Sequence, residues 1–325
     1  MVANGLSRKP HRNCQKAFVN KLHQSATLLT KLGKIVDLSG HSRICPVCGS
    51  TGQGRVQYSF PPFDLVNCAN CGTLHLSPLP IPEILANIYN NNYYRDDNLQ
   101  HGYLNYAAEA ERIVCTYRRR LQFVKPFLSN VTGPKVLEIG AALGFGLPVA
   151  RDLFGPNILA CDVSQEAVDA CRKLGFSAML TDEYGVCESI NPNSLDMVYA
   201  FDVIEHLPDM RRFTSWLDTA LKPGGLFFVT TPDMDHVLNK ALGSRSPSIK
   251  IPQHTIYFST KTLIKALKPK FLMQAHPWDY QYVGLGMLLS RIAHIIHSTW
   301  VKGNHGPTIP VPNGMRMYVF RKENI

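Results

Sequence analysis

Residues Val136 to Gly146 read V-L-E-I-G-A-A-L-G-F-G, a short apolar strand that carries one acid and runs into a glycine-punctuated turn ahead of a helix. Glycine lets the backbone pass close to a ligand and take dihedral angles that a side chain forbids. Strand, turn and helix together suit a nucleotide-like cofactor. The dinucleotide pattern G-x-G-x-x-G, which seats a pyrophosphate at a helix N-terminus, fails here on spacing. Gly140 is followed by Ala141, Ala142 and Leu143 before Gly144 and Gly146. Glu138 would repel a phosphate and suit a cation or an amino group. The turn therefore points to a cationic, phosphate-free cofactor.

Working outward, Asn157 to Asp162 form a second apolar run ending in an acid, and Ser164 caps a helical stretch, Gln165 to Leu174, closed by Gly175. An acid at that strand end is placed to accept hydrogen bonds from ribose hydroxyls. A third strand around Ser177 to Thr181 is followed by Asp182, within reach of an adenine edge. A fourth, Leu195 to Phe201, leads into D-V-I-E-H-L-P, and Leu221-Lys-Pro-Gly-Gly225 turns a helix into a fifth, Leu226 to Thr231. Taken alone, any one of these acids reads as a solvated loop residue or a helix cap. Taken in order over Gly133 to Arg321, the set resembles the class I S-adenosylmethionine-dependent methyltransferases. The resemblance implies an α/β, doubly wound, Rossmann-like sheet of seven strands over 133–325. It also implies Glu138, Gly140 and Gly144 around the methionine part of S-adenosylmethionine, Asp162 at the ribose and Asp182 at the adenine. Where the family's turn usually has its middle glycine, this chain has Ala142.

The chain of 325 residues has room for one large α/β domain and a smaller module. Nine cysteines, an odd number, and no apolar segment with a small-residue cleavage site disfavour secretion and a disulfide framework. A reducing compartment, the cytoplasm, is expected. The formal charge of +10 favours anionic partners: a nucleotide-linked substrate, RNA or an acidic lipid surface. Much of the excess lies in a basic arm at 1–40. Its first 36 residues hold Arg8, Lys9, Arg12, Lys16, Lys21, Lys31 and Lys34 and no acid. Phe18, Leu22, Leu28, Leu29, Leu32 and Ile35 give it some helical patterning, so it reads as a solvated arm, a membrane-surface contact or an organelle transit segment.

Between arm and cofactor turn, Cys45-Pro-Val-Cys48-Gly and Cys68-Ala-Asn-Cys71-Gly are C-x2-C pairs separated by nineteen residues. That spacing suits two metal knuckles, and four thiolates suit a closed, structural zinc. A redox pair or core cysteines are the competing readings. Tyr58, Phe60, Phe63 and Val66 supply strand formers for a zinc ribbon at 41–78. Arg55 is the only Lys or Arg between the pairs, too little charge to track phosphates, which disfavours nucleic acid. A helical, tyrosine-rich linker at 79–132 follows, with Tyr89, Tyr93, Tyr94, Tyr103, Tyr106 and Tyr117 between Ile84 and Leu128. Ribbon, linker and cofactor domain together resemble the bacterial zinc-ribbon methyltransferases of sugar, polysaccharide and secondary-metabolite modification. In that family the linker packs over the cofactor mouth. Its sugar C-methyltransferases carry a further C-terminal domain for which this length leaves no room, which turns the expectation toward a hydroxyl acceptor.

Methyl transfer to a hydroxyl needs alignment and a base. His206, after the fourth strand, and His254, after the fifth, stand where open α/β sheets bind ligands. Asp202, Glu205 and His206 also follow the D/E-x-x-E-H pattern by which some members of the superfamily hold a divalent metal, with His254 as a fourth ligand. Catalysis is thus expected at Glu205, His206 and His254, on a small or carrier-linked metabolite. The rivals are an RNA or tRNA methyltransferase using ribbon and arm, and a non-catalytic cofactor-binding protein. Gly284 to Trp300 is too short and too charged to span a membrane, so no transmembrane segment is expected. It reads as an amphipathic helix over the pocket, at a partner or peripherally on a membrane. Gly303 to Pro312 reads as a loop before a final strand, Met315 to Phe320.

Overall fold

Three short strands, β1 (Arg55–Phe60), β2 (Phe63–Asn67) and β3 (Leu74–Ser77), form an antiparallel sheet between and after the two cysteine pairs. The structure, a computed structural model, describes residues 44–52, 54–80, 110–284 and 308–324. The basic arm at 1–40, the first residues of the ribbon up to 43, the linker tyrosines from Tyr89 to Tyr106 and the amphipathic stretch at 285–300 lie outside the described residues.

The described part of the linker is helix α1 (Ala110–Val124), whose buried face carries Thr116, Tyr117, Arg120, Leu121 and Val124. Then follow β4 (Val136–Ile139), α2 (Leu147–Phe154), β5 (Ile158–Asp162), α3 (Gln165–Lys173) and β6 (Ser177–Leu180). The Ser164 side chain accepts from Ala167 N and starts α3, with Arg172 and Lys173 at its C-terminal end. Next come β7 (Leu195–Phe201), a 3-10 turn at Ile204–His206, α4 (Met210–Ala220) and β8 (Leu221–Pro232). After α5 (Val237–Leu242), β9 (Ile256–Tyr257) and α6 (Thr260–Leu267), the chain ends in β10 (Phe271–Ala275), β11 (Trp278–Gly284) and β12 (Thr308–Lys322).

The large sheet runs β10-β12-β8-β7-β4-β5-β6, with β11 paired to β12 as an eighth strand. The five strands from β8 to β6 are parallel, and β12 is antiparallel to β8, β10 and β11. The expected seven-strand path is present, and β11 adds to it. All seven residues of β7 are buried, as a parallel strand covered on both faces requires. Leu137, Ile139, Val198, Ala200 and Phe227 face one apolar cluster, and Val136, Met197, Tyr199 and Phe228 the other. Strand order reverses between β4 and β7, so the carboxyl ends of these two strands flank the crevice where doubly wound sheets bind ligands.

Residues 308–312, read from sequence as loop, are strand: Thr308 pairs with Gly284, Val311 with Gln281 and Pro312 with Tyr280. Among the described residues this half of β12 has only β11 as a partner. A strand with an open edge tolerates Pro310 and Pro312, which lack an N–H to offer.

Candidate functional site

The Gly140 and Ala141 N–H groups both donate to Cys161 O, at 2.8 and 3.1 Å, which folds the turn back onto the end of β5. Gly140 has φ +73°, and a Cβ there would come within 2.4 Å of Val203 Cγ2. Ala142, where the family's middle glycine is usual, is held at φ +49°. Its N–H donates to Asp162 Oδ2 at 2.9 Å, while Ser164 N–H donates to Oδ1 at 2.9 Å. Asp162 thus locks the turn to the second strand, and each of its oxygens keeps a second lone pair for a ligand hydroxyl. Burial pushes its carboxyl up, while the backbone N–H groups of Ser164, Ala142 and Val163 pull it down.

Glu138 is buried on β4 opposite Tyr199 on β7, in register. Tyr199 Oη donates to Glu138 Oε2 at 2.7 Å, and Oε1 is buried without a hydrogen-bond partner. Burial pushes this carboxyl up to about 8, against the Tyr199 and Tyr117 hydroxyls that pull it down. A buried acceptor left unmatched is costly, and a cationic group seated here would relieve it. Tyr117 also walls the turn: a Cβ on Gly146 would strike its ring at 2.1 Å. Asp182 is drawn into its own loop. Oδ1 accepts from Tyr184 N and Val186 N at 2.9 Å each, and Oδ2 pairs with Arg212 at 2.5 Å.

On the other lip, Asp202 ends β7 in the left-handed region at φ +60°. Thr230 Oγ1 donates to it at 2.6 Å, and the Arg120 guanidinium lies 3.6 Å away. Glu205, His206 and His254 come together, with ligand-type atoms all within 4.8 Å of one another, while Asp202 faces Thr230 and Arg120 instead. The expected set of four is therefore three. Glu205 accepts from Thr231 at 3.0 Å, and burial first, then Asp202, pushes its carboxyl up to about 8. The two imidazoles meet edge to face at 4.6 Å. His206 Nδ1 lies 3.0 Å from Gln253 O, and His254 Nδ1 2.8 Å from Ser248 O. A carbonyl only accepts, so Nδ1 carries the proton in both rings and Nε2 carries the lone pair. Burial, reinforced by the Lys250 charge, pushes His206 down to about 4, and burial and His206 push His254 well below its ordinary value. Both rings are neutral at pH 7, the state that can accept a proton or bind a metal.

The four cysteines also converge, with sulfurs within 4.8 Å of one another. Cys45 and Cys71 Sγ are 3.6 Å apart, as are Cys48 and Cys68. A tetrahedral site with metal–sulfur bonds of about 2.3 Å places its sulfurs about 3.8 Å apart. The four thiols fit one metal ion, and four protein ligands leave it no open position.

Sequence reasoning missed the groups that lock these residues in place. Tyr199 was hidden in an apolar strand, and its role follows only from the β4–β7 register. Arg120 and Asp279, paired through Nη2 and Oδ2 at 2.6 Å, are 159 residues apart in the chain. The signal in α1 was Arg120 falling on the apolar face beside Tyr117 and Leu121.

A family described as "Methyltransferase domain" matches residues 106–269, just over half of the chain. Phosphoethanolamine N-methyltransferase 2 of Caenorhabditis elegans is 28% identical over 139 residues, 41% of this chain and 30% of that protein. C-methyltransferase NovU of Streptomyces niveus is 23% identical over 206 residues, 62% of this chain and 44% of that protein. The chain thus spans less than half the length of these two relatives. A chain from the complex between the Haloferax volcanii Trm112 methyltransferase activator and a methyltransferase has a similar fold. Its TM-score is 0.50 at 15% identity, covering 68% of this chain and 95% of that one.

Proposed function

The chain belongs to this methyltransferase-domain family, and on that premise we propose that it moves a methyl group from S-adenosylmethionine to a hydroxyl of a small or carrier-linked metabolite. A sugar, a polysaccharide precursor or a secondary metabolite fits that description. The observation that carries the reading is the pair of neutral histidines at the carboxyl end of β7, next to a glycine cradle with an unmatched buried carboxylate oxygen. S-adenosylmethionine supplies an electrophilic sulfonium methyl when bound.

Glu138, with Gly140 and Gly144, would receive the amino end of the methionine part, and the unpartnered Oε1 would gain the ammonium as a donor. Asp162 would accept from the ribose hydroxyls with its remaining lone pairs. Asp182, already committed to its loop and to Arg212, would shape the adenine end through backbone rather than through a carboxylate contact. Val203, which packs on Gly140, joins this cradle to the histidine rim. His206 Nε2 would take the acceptor's proton as the oxygen attacks the methyl, with His254 beside it in the same tautomer. Glu205, whose carboxylate lies within 4.8 Å of both rings' ligand-type nitrogens, is itself held by the Thr231 hydroxyl that donates to it.

A second reading has one observation in its favour. The Glu205, His206 and His254 atoms lie close enough to share one divalent cation, which would lower the pKa of an acceptor hydroxyl. The four-cysteine cluster we assign to a structural zinc.

Incubating the full chain with methyl-labelled S-adenosylmethionine and fractionated metabolites tests the proposal. Label should appear in a small acceptor, and His206→Ala should lower that transfer by roughly 10²- to 10⁴-fold, the range of a general base, with cofactor affinity kept. Transfer undiminished in the variant would remove His206 from the chemistry. Label entering RNA with steeply salt-dependent binding would move the acceptor to nucleic acid.

A further inference from the structure

The four-cysteine module is stitched into the histidine rim by a continuous series of hydrogen bonds. Strand β3, just after Cys71, pairs antiparallel with β9, Leu74 opposite Tyr257 and His75 opposite Ile256. Leu76 N–H then donates to Thr255 O at 2.9 Å. Thr255 is fully buried and is the residue after His254. Its N–H donates to Glu205 O at 2.8 Å, and its Oγ1 donates to Leu207 O at 2.7 Å. One side chain thus holds the turn that carries Glu205 and His206 while its own backbone is held by the ribbon strand. The first cysteine knuckle makes a parallel attachment, because Met210 N–H donates to Pro46 O at 2.9 Å at the start of the helix after that turn. The second knuckle is tied by Lys265 Nζ donating to Asn70 O at 2.9 Å. Cys45, Val47, Leu207, Met210 and Ile256 pack into one apolar cluster around these bonds. The hydrogen bonds that shape the cofactor turn run to Cys161 and Asp162 instead.

We propose that Thr255 is a positioning residue through which the four-cysteine module sets the geometry of Glu205, His206 and His254, so that filling the metal site orders the acceptor side and leaves the cofactor cradle unchanged. This rests on the assignment of that rim to the acceptor. A buried threonine hydroxyl aimed at two carbonyls serves the turn only if β3 keeps Thr255 in register. The register of β3 depends in turn on the cysteine knuckle Cys68–Cys71, which ends three residues before it. A metal in the knuckle therefore acts on the rim through backbone rather than by contact with substrate.

The test reads the rim directly, independently of whether it performs chemistry. In full-length protein with ¹⁵N-labelled histidine, the Nδ1–H signals of His206 and His254 report their bonds to Gln253 O and Ser248 O. Wild type and Thr255→Ser, which keeps the hydroxyl, should show both signals. Thr255→Val should lose or broaden them, and its Leu76 and Thr255 amides should exchange roughly tenfold faster, the scale of one lost hydrogen bond. Chelation of wild type should reproduce that pattern, with the cofactor dissociation constant held within about twofold, as for independent sites. Thr255→Val or chelated protein that keeps both signals overturns the proposal, and so does cofactor affinity that falls in step with the rim. His206→Ala with undiminished methyl transfer would instead sink the acceptor assignment while leaving this coupling readable.

Discussion

Replacing Arg120 with methionine should cost the fold about 3–5 kcal/mol, the usual result of removing one member of a buried ion pair. The Arg120 side chain is 2% exposed and that of Asp279 is 0% exposed. Arg120 Nε and Nη2 both donate to Asp279 Oδ2, at 3.2 and 2.6 Å, and Arg119 takes the other oxygen. The planar guanidinium also lies over Phe201, 4.9 Å from its centroid. Methionine fills similar volume but leaves a buried carboxylate with Arg119 alone. This knot fastens α1 and β11 to the end of β7, where the same guanidinium approaches Asp202. Its loss should therefore loosen the site as well as the fold. Chemical denaturation checks it: a loss below about 1 kcal/mol would mean that the pair behaves as a surface salt bridge.

The second large effect is expected at the cysteines. Purified protein should carry about one zinc per chain, and the double replacement Cys45→Ser with Cys68→Ser should abolish it. Binding of a structural zinc to thiolates is worth on the order of 10 kcal/mol, so the small sheet should lose its order when two ligands go. The surrounding packing explains why the loss would spread. Cys45, Cys68 and Cys71 belong to the same apolar cluster as Ile204, Leu207 and Ile256, which flank the histidine rim. Elemental analysis with thermal melting decides the matter, since a zinc-free wild type melting like its own variant would show that the thiols merely pack.

The central strands were legible because each ends in punctuation with a physical purpose. The glycines of the first turn have φ values of +73° and +78° at Gly140 and Gly144, and Ser164 caps the helix it was expected to cap. The cysteine pairs were legible as a constellation because metal geometry fixes ligand spacing. Long-range pairings left weaker traces. Two-residue β9 has no periodicity to detect, yet it carries the attachment of the ribbon strand to the site. Residues 308–312 looked like loop because prolines mark loops locally, and only the partner strand β11 reveals them as strand. Asp202 fitted a metal motif by spacing, but its left-handed backbone turns it toward Thr230 and Arg120. Spacing places residues near one another, while backbone dihedrals decide where their side chains point.

The claim on which the rest depends is that the Val136–Gly146 turn and Asp162 hold S-adenosylmethionine. Calorimetric titration of the full chain with S-adenosylmethionine, in wild type and in Asp162→Ala, tests it most directly. Wild type should bind one equivalent, and the variant should bind roughly 10- to 100-fold more weakly, the worth of hydrogen bonds to a charged group, while still melting cooperatively. Absence of binding by folded wild type, or equal affinity in the two proteins, would contradict the assignment.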